Sequence, residues 1–202
     1  MEQAKSADGG LVRTVFLDRD GVINEKAPEG EYVCRPEQLK LLEGAAEAIA
    51  RLNRAHVRVI VVSNQRGVAL GLYSIEDLRT IQAAMKEMLA AKGAHLDGIY
   101  FCPHDRGTCN CRKPLPGLFE QAQADCPEID PASSVMIGDS LSDVEFGRAL
   151  DMRTIFIEGP PERQKPGAER AREFADGQAK SLAAAVESLL RDPAEASTAK
   201  SV

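Results

Sequence analysis

Short β-branched runs alternate along the chain with longer segments in which apolar residues recur every three or four positions. The runs at residues 14–17, 57–63, 98–102, 134–137 and 153–157 read as short, central strands. The segments at 44–55, 74–92, 116–125, 142–150 and 180–191 read as helices. In the second helix Ile75, Leu78, Ile81, Met85, Met88 and Leu89 recur at such steps and predict one buried face, which makes the methionines core. Ser74 followed by Asp77 resembles a capping box with the shorter acid, and Pro116 sits where a first-turn proline is tolerated. Residues 22–38 and 103–114 stay irregular. The basic stretch 163–172, broken by Glu169 and carrying Pro166 and Gly167, reads as a solvated connection. The alternation is that of βαβ units and predicts an α/β fold with a parallel sheet over residues 12–191, between polar tails at 1–11 and 192–202.

A chain of 202 residues suits one domain with a full core, and 44% hydrophobic with 28% charged residues excludes disordered, collagenous and coiled-coil classes. Lys plus Arg total 25 against 31 Asp plus Glu, and this net charge of −6 disfavours nucleic acid as a partner. No apolar run approaches the roughly 20 residues that cross a bilayer, so no membrane partner is expected. The opening residues lack the charged and then apolar segments of a secretory signal, which predicts a cytoplasmic protein with reduced cysteines. Cys102, Cys109 and Cys111 lie close together with His104 among them, a clustering that suits a metal better than disulfides. Cys34 and Cys126 stand apart as ordinary thiols.

Ligands of an open parallel sheet bind outside the carboxyl ends of its strands, so those ends are where chemistry is sought. Four strands run into polar residues there: TVFL-DRDGV, VIVV-SNQRG, GIYF-CPHDRGTCNCRKP and VMI-GDSLSD. Asp18 and Asp20, two apart before a turn at Gly21, can point out of one face and repel unless a cation such as Mg²⁺ sits between them. Either could instead cap a turn. Asp139 and Asp143 offer further carboxylates, although Asp143 could equally complement the dipole of the helix it opens. Ser63 and Asn64 offer neutral donors for phosphoryl oxygens, and Lys113 offers positive charge. Phosphoryl transfer needs mainly positioning, a metal and a cation, and this inventory meets that need. Asp18 could attack phosphorus, with Asp20 giving a proton to the leaving alcohol and later taking one from water.

In these motifs the sequence resembles the haloacid dehalogenase-like phosphohydrolases: DRDGV is similar to their first motif, Ser63 to the second, Lys113 to the third and GDSLSD to the fourth, in order. The resemblance implies a doubly wound Rossmann-like parallel sheet with a minimal cap and an open site. It implies Asp18 as nucleophile, Asp20 as general acid/base and as a Mg²⁺ ligand through its backbone carbonyl, and Asp139 as a further Mg²⁺ ligand. Ser63 and Lys113 would bind the phosphoryl group and Asp143 would support the site from behind.

Cys102, His104, Cys109 and Cys111 supply four ligands of the kinds that a closed structural Zn²⁺ site takes, the alternative being thiols packed as small hydrophobes. Arg112 and Lys113 follow directly, so a metal-pinned loop would aim both cations. This insert, with DRDGVIN and SNQRGV, resembles the D,D-heptose 1,7-bisphosphate phosphatases and the related histidinol-phosphate phosphatases. The first of these implies removal of the C7 phosphate from a small phosphorylated sugar. Leu70 and Gly71 stand where that stretch often reads Arg-Gly, so a cation is missing. Arg112 would take a second phosphate, with Asn64 and Arg66 at the rim; Arg66 could also be a solvated surface charge. For histidinol phosphate, Glu25, Glu29 and Glu31 could supply an acidic rim. A non-enzymatic phosphoacceptor of the receiver-domain kind is the reading from another class, and a monomer is the expected state.

Overall fold

The computed structural model describes residues 11–28, 30–159 and 164–191. The tails expected at the two ends lie almost wholly outside these residues, as do Glu29 and Arg163.

Six parallel strands form one sheet in the order β3-β2-β1-β4-β5-β6. They are β1 (Thr14–Leu17), β2 (Arg58–Asn64), β3 (Gly98–Cys102), β4 (Ser134–Gly138), β5 (Arg153–Ile157) and β6 (Gly177–Ala179). The helices are α1 (Ala45–Arg54), α2 (Ile75–Ala90), α3 (Gly117–Asp125), α4 (Leu141–Ala149), α5 (Ala168–Phe174) and α6 (Leu182–Leu190). The chain winds outward from β1 in both directions, so order reverses between β1 and β4, the place where such sheets open a crevice. In register, Leu17 lies beside Val61 on one side and Ile137 on the other.

The period of two along each strand divides the core. Val15, Leu17, Val59, Val61, Val135, Ile137, Ile155 and Ile157 bury toward α1, α2 and α6. Phe16, Ile60, Val62 and Met136 bury toward α3 and α4, and Phe156 meets α5. Both sheet faces are covered, which is why the strands read as continuous apolar runs rather than alternating ones. The architecture is the expected doubly wound α/β sheet, with the ten expected elements displaced by at most two residues at either end.

Two expectations are corrected. The stretch read as a solvated connection runs into α5, capped by Gly167 at φ +87°, whose Ala168 and Ala171 pack on Val144 and Phe156. A sixth strand follows it: Gly177, Gln178 and Ala179 pair with Ile155, Phe156 and Ile157. Asp176 anchors this edge by accepting from the amide and the hydroxyl of Thr154, both at 2.8 Å. Three polar or small residues carry no hydrophobic period, so backbone pairing alone makes this strand. On α2, Leu78, Ile81, Met85 and Leu89 are buried, but Ile75 and Met88 are exposed, because they fall on the two flanks of that stripe. Ser74 and Asp77 do form the capping box.

Among the described residues, the segment between β1 and α1 holds a 3-10 turn at Pro36–Gln38 and two isolated bridges, Asp20 with Asn24 and Asn24 with Leu41. No helix of the described residues is long and apolar enough to cross a membrane.

Candidate active site

β1 delivers Asp18 and β4 delivers Asp139 at the reversal point. Asp18 is 5% and Asp139 is 7% exposed. The amide of Asp18 donates to the carbonyl of Ile137 at 3.0 Å, so the backbone pairing of β1 with β4 runs on into the site. Asp143, in the first turn of α4, accepts from the amide and the hydroxyl of Ser140 at 3.0 and 2.5 Å. Carboxylate oxygens of Asp18, Asp139 and Asp143 lie within 4.8 Å of one another. Lys113 Nζ binds this group together: it donates to Asp18 Oδ1 at 2.9 Å and to the carbonyl of Val62 at 2.6 Å, and it pairs with Asp143 Oδ1 at 2.6 Å. Asp143 thus both caps α4 and neutralises Lys113.

Two lysines that sequence reasoning passed over complete the charge balance. Lys26 pairs with Asp139 Oδ2, and Lys165 pairs with Asp139 Oδ1 at 3.0 Å. Their signal in the sequence was weak, since Lys26 is a lone cation in an irregular stretch and Lys165 lies in the basic stretch that reads as a solvated connection. Burial alone would lower Lys165, but Asp139, Asp18 and Asp143 raise it. For Asp18 burial is the larger effect and pushes its carboxyl up to about 6, against the pull of Lys113. Gly21, at φ +95°, admits this packing, because a Cβ there would overlap the Asp139 carboxylate.

Asp20 faces other partners. The chain leaves the extended conformation after Asp18, and Arg19 O accepts from the amides of Ile23 and Asn24. The alternation that would aim both carboxylates from one face therefore ends there. Asp20 Oδ1 accepts from Arg19 Nη2 and from Asn24 Nδ2, each at 2.9 Å, and Oδ2 accepts from Gln65 Nε2 at 2.9 Å. Burial would raise its carboxyl, but the Arg19 charge and these hydrogen bonds outweigh burial and hold it below the usual range. Arg19, Asn24 and Gln65 are buried polar residues adjoining the motif residues, and only their contacts reveal them.

Ser63, in β2 just before its last residue Asn64, is buried and accepts from Gln65 Nε2 at 2.7 Å. Asn64 uses both ends of its amide on Lys113: Nδ2 donates to the carbonyl at 3.1 Å and Oδ1 accepts from the amide at 3.0 Å. It thereby fixes the backbone that carries the lysine. Arg66 pairs with Asp105 at 2.6 Å, joining the loop after β2 to the loop after β3. Arg112 keeps Nη1 buried with no hydrogen-bond partner among the described residues. Leu70 is 44% exposed.

The loop after β3 gathers Cys102, His104, Cys109 and Cys111 so that one ligand atom from each lies within 4.8 Å of the others. Cys102 Sγ is 3.5 Å from Cys109 Sγ, and His104 Nδ1 is 3.3 Å from Cys111 Sγ. All three cysteines are free thiols. Burial raises Cys102 and pushes Cys111 up to about 12. Gly117 lets α3 press against this loop, since a Cβ there would come within 2.8 Å of the Asn110 carbonyl oxygen. Three soft sulfurs with one imidazole fit a tetrahedral Zn²⁺, and three hard carboxylates fit Mg²⁺.

A family described as HAD-hydrolase-like matches residues 110–185. The chain is 43% identical over 133 residues to the D-glycero-alpha-D-manno-heptose-1,7-bisphosphate 7-phosphatase of Mycobacterium tuberculosis, spanning 65% of this chain and 70% of that one. It is 36% identical over 151 residues to the corresponding beta-anomer phosphatase of Yersinia pestis, spanning 71% of this chain and 78% of the relative. The crystal structure of a D,D-heptose 1,7-bisphosphate phosphatase from B. bronchiseptica, complexed with magnesium and phosphate, aligns with a TM-score of 0.76 at 31% identity. That alignment covers 89% of this chain and 98% of the other.

Proposed function

The chain belongs to the HAD-like hydrolases, and from that premise we propose that it hydrolyses a phosphomonoester through a phosphoaspartate on Asp18. It is a phosphatase, acting as a D-glycero-D-manno-heptose 1,7-bisphosphate 7-phosphatase. The observation that carries the mechanism is the contact of Lys113 with both Asp18 and Asp143, beside Asp139, at the reversal of strand order.

Lys113 occupies Asp18 Oδ1, so Oδ2 is the attacking atom. An electron pair of Oδ2 forms the bond to phosphorus as the bond from phosphorus to the C7 oxygen breaks, and the leaving alkoxide takes a proton from Asp20. The Asp20 carboxylate then removes a proton from water, whose oxygen attacks phosphorus and frees Asp18 and inorganic phosphate. Asp20 is held ionised by Arg19 before substrate arrives, so the negative charge of the bound phosphate has to offset that pull before Asp20 can carry a proton. Ser63 and Lys113 hold phosphoryl oxygens, and Asn64 acts on the lysine's backbone. Asp18 and Asp139 through their carboxylates, and Asp20 through its carbonyl, would hold Mg²⁺, which supplies charge neutralisation at the transferring group. Cys102, His104, Cys109 and Cys111 would hold Zn²⁺, which pins the loop leading to Arg112 and Lys113.

Arg112 takes the C1 phosphate, because its unpartnered Nη1 is a buried donor awaiting an acceptor, and Arg66 stands at the rim beside it. Lys26 puts a cation from the first loop against Asp139, which favours a doubly phosphorylated substrate over a cationic amino alcohol. Initial rates on both anomers of the heptose 1,7-bisphosphate, on the 1-phosphate alone and on histidinol phosphate test this reading. Release of phosphate from the bisphosphates and not from the 1-phosphate is expected; preference for histidinol phosphate would overturn it.

A further inference from the structure

Two buried polar side chains, Gln65 and Tyr73, have no part in the proposed reaction. Gln65, 2% exposed, donates from Nε2 to Asp20 Oδ2 at 2.9 Å and to Ser63 Oγ at 2.7 Å. Tyr73, 6% exposed, donates from its hydroxyl to Gln65 Oε1 at 2.8 Å. The two ends of an amide differ, since Nε2 has two hydrogens to give and Oε1 only accepts. A hydroxyl that donates to Oε1 fixes which end is which. Both N–H bonds of Gln65 are then spent on the proton carrier and on the phosphoryl-binding serine. With the amide reversed, a buried oxygen would face the Asp20 carboxylate, an unpaired contact of the kind that costs most in a dry site.

The rest of the loop is built to keep Tyr73 in place. A Cβ on Gly67 would overlap the Tyr73 ring, so this position has to be glycine for the ring to reach inward. Tyr32 closes the other side, with ring centroids 6.3 Å apart. Ser63 Oγ, already accepting from Gln65, keeps its own O–H free to donate to a phosphoryl oxygen.

We propose that Gln65, oriented by Tyr73, is a positioning residue that holds Asp20 in place for proton transfer, while Tyr73 touches neither Asp20 nor substrate. This rests on the reading of Asp20 as the proton carrier. The test compares two substrates on Tyr73→Phe, which keeps the ring, and on Gln65→Met, which keeps the volume. Heptose bisphosphate has an alcohol leaving group that needs a proton. 2,4-Dinitrophenyl phosphate has a leaving group that does not.

On the sugar, kcat is expected to fall about 100-fold for Gln65→Met, the lower end of lost acid–base catalysis, and about 10-fold, a partial loss, for Tyr73→Phe. KM should be unchanged for Tyr73→Phe. With the dinitrophenyl ester, stopped flow should show the release burst of Tyr73→Phe within about twofold of the parent, followed by slower steady turnover, because only the water step needs Asp20. A dinitrophenyl burst slowed as much as sugar turnover, or no loss of sugar turnover, would overturn the proposal. Asp20→Asn run in parallel separates the two readings. If it turns over the sugar normally, the assignment of Asp20 falls and the inference with it. If it abolishes sugar turnover while Tyr73→Phe changes nothing, only the inference falls.

Discussion

The molecule gathers two sets of side chains that could hold a metal ion and neutralises them in opposite ways. Asp18, Asp139 and Asp143 come with their own cations: Lys113 between two of them, and Lys26 and Lys165 on the third. Cys102, Cys109 and Cys111 sit with His104 against an apolar cluster that includes Leu118 and Phe119, where the neighbouring groups are backbone amides and other thiols. The carboxylate set is charge-balanced by the chain itself, so its fold does not depend on an ion. The thiol set in its protonated form is held only by weak contacts, so an ion there would be a cross-link as well as a charge.

The largest effect should come from the carboxylate set and should be catalytic only. Asp18→Asn is expected to lower kcat by about four orders of magnitude, as for loss of a nucleophile, without lowering the melting temperature. A variant that still turns over, or one that fails to fold, breaks the comparison. Next comes the thiol set. Stripping zinc, or the substitution Cys111→Ser, should lower the melting temperature by about 10 °C, the shift expected for loss of a few kcal/mol in a chain of this size. Removing Mg²⁺ alone should move it by less than about 2 °C while abolishing turnover. Metal analysis with calorimetry on the same samples decides between these outcomes.

Acidity separates the two sets further. Burial pushes Cys111 up to about 12 without metal, so at neutral pH an incoming ion must displace its proton, and binding weakens as pH falls. A chelator should therefore withdraw zinc faster at pH 6 than at pH 8, by about tenfold per pH unit and so about 100-fold in all if one proton is exchanged per ion. Equal rates would show that the thiols are not the ligands. The smallest effect tests the lysines. Lys165→Met removes one of the cations balancing Asp139, and calorimetric titration should show Mg²⁺ binding a few-fold tighter, about the size of one partly screened charge contact. Weaker binding would show that Lys165 helps to form the ion site instead of competing for it.

Much of this site was legible in the chain because the motif residues follow apolar strand runs directly. Asp18 after Leu17, Ser63 within β2 and Asp139 after Gly138 need no tertiary information beyond the rule that parallel strands end on one side. The cluster of Cys102, His104, Cys109 and Cys111 was legible by ligand type. Gln65, Tyr73, Arg19, Lys26 and Lys165 were not, because their roles rest on contacts made between segments far apart in the chain or on which atom of a side chain faces which. Asn64 shows the same limit from the other side: its place in the site was readable, but its use on the backbone of Lys113, 49 residues away, was not.

By itself the order of residues determined five strands of the sheet, the helices that cover them apart from α5, and the edge at which the chemistry gathers, since these follow from local period and from burial on both faces, whereas β6 rests on backbone pairing alone. Tertiary structure alone decided how Asp18 and Asp20, two positions apart, come to hold opposite charge tendencies. One is buried among carboxylates, and the other is wrapped by a guanidinium and two amides. Ionisation depends on the charges and dipoles within a few ångströms in space, and a linear sequence does not specify those until it has folded.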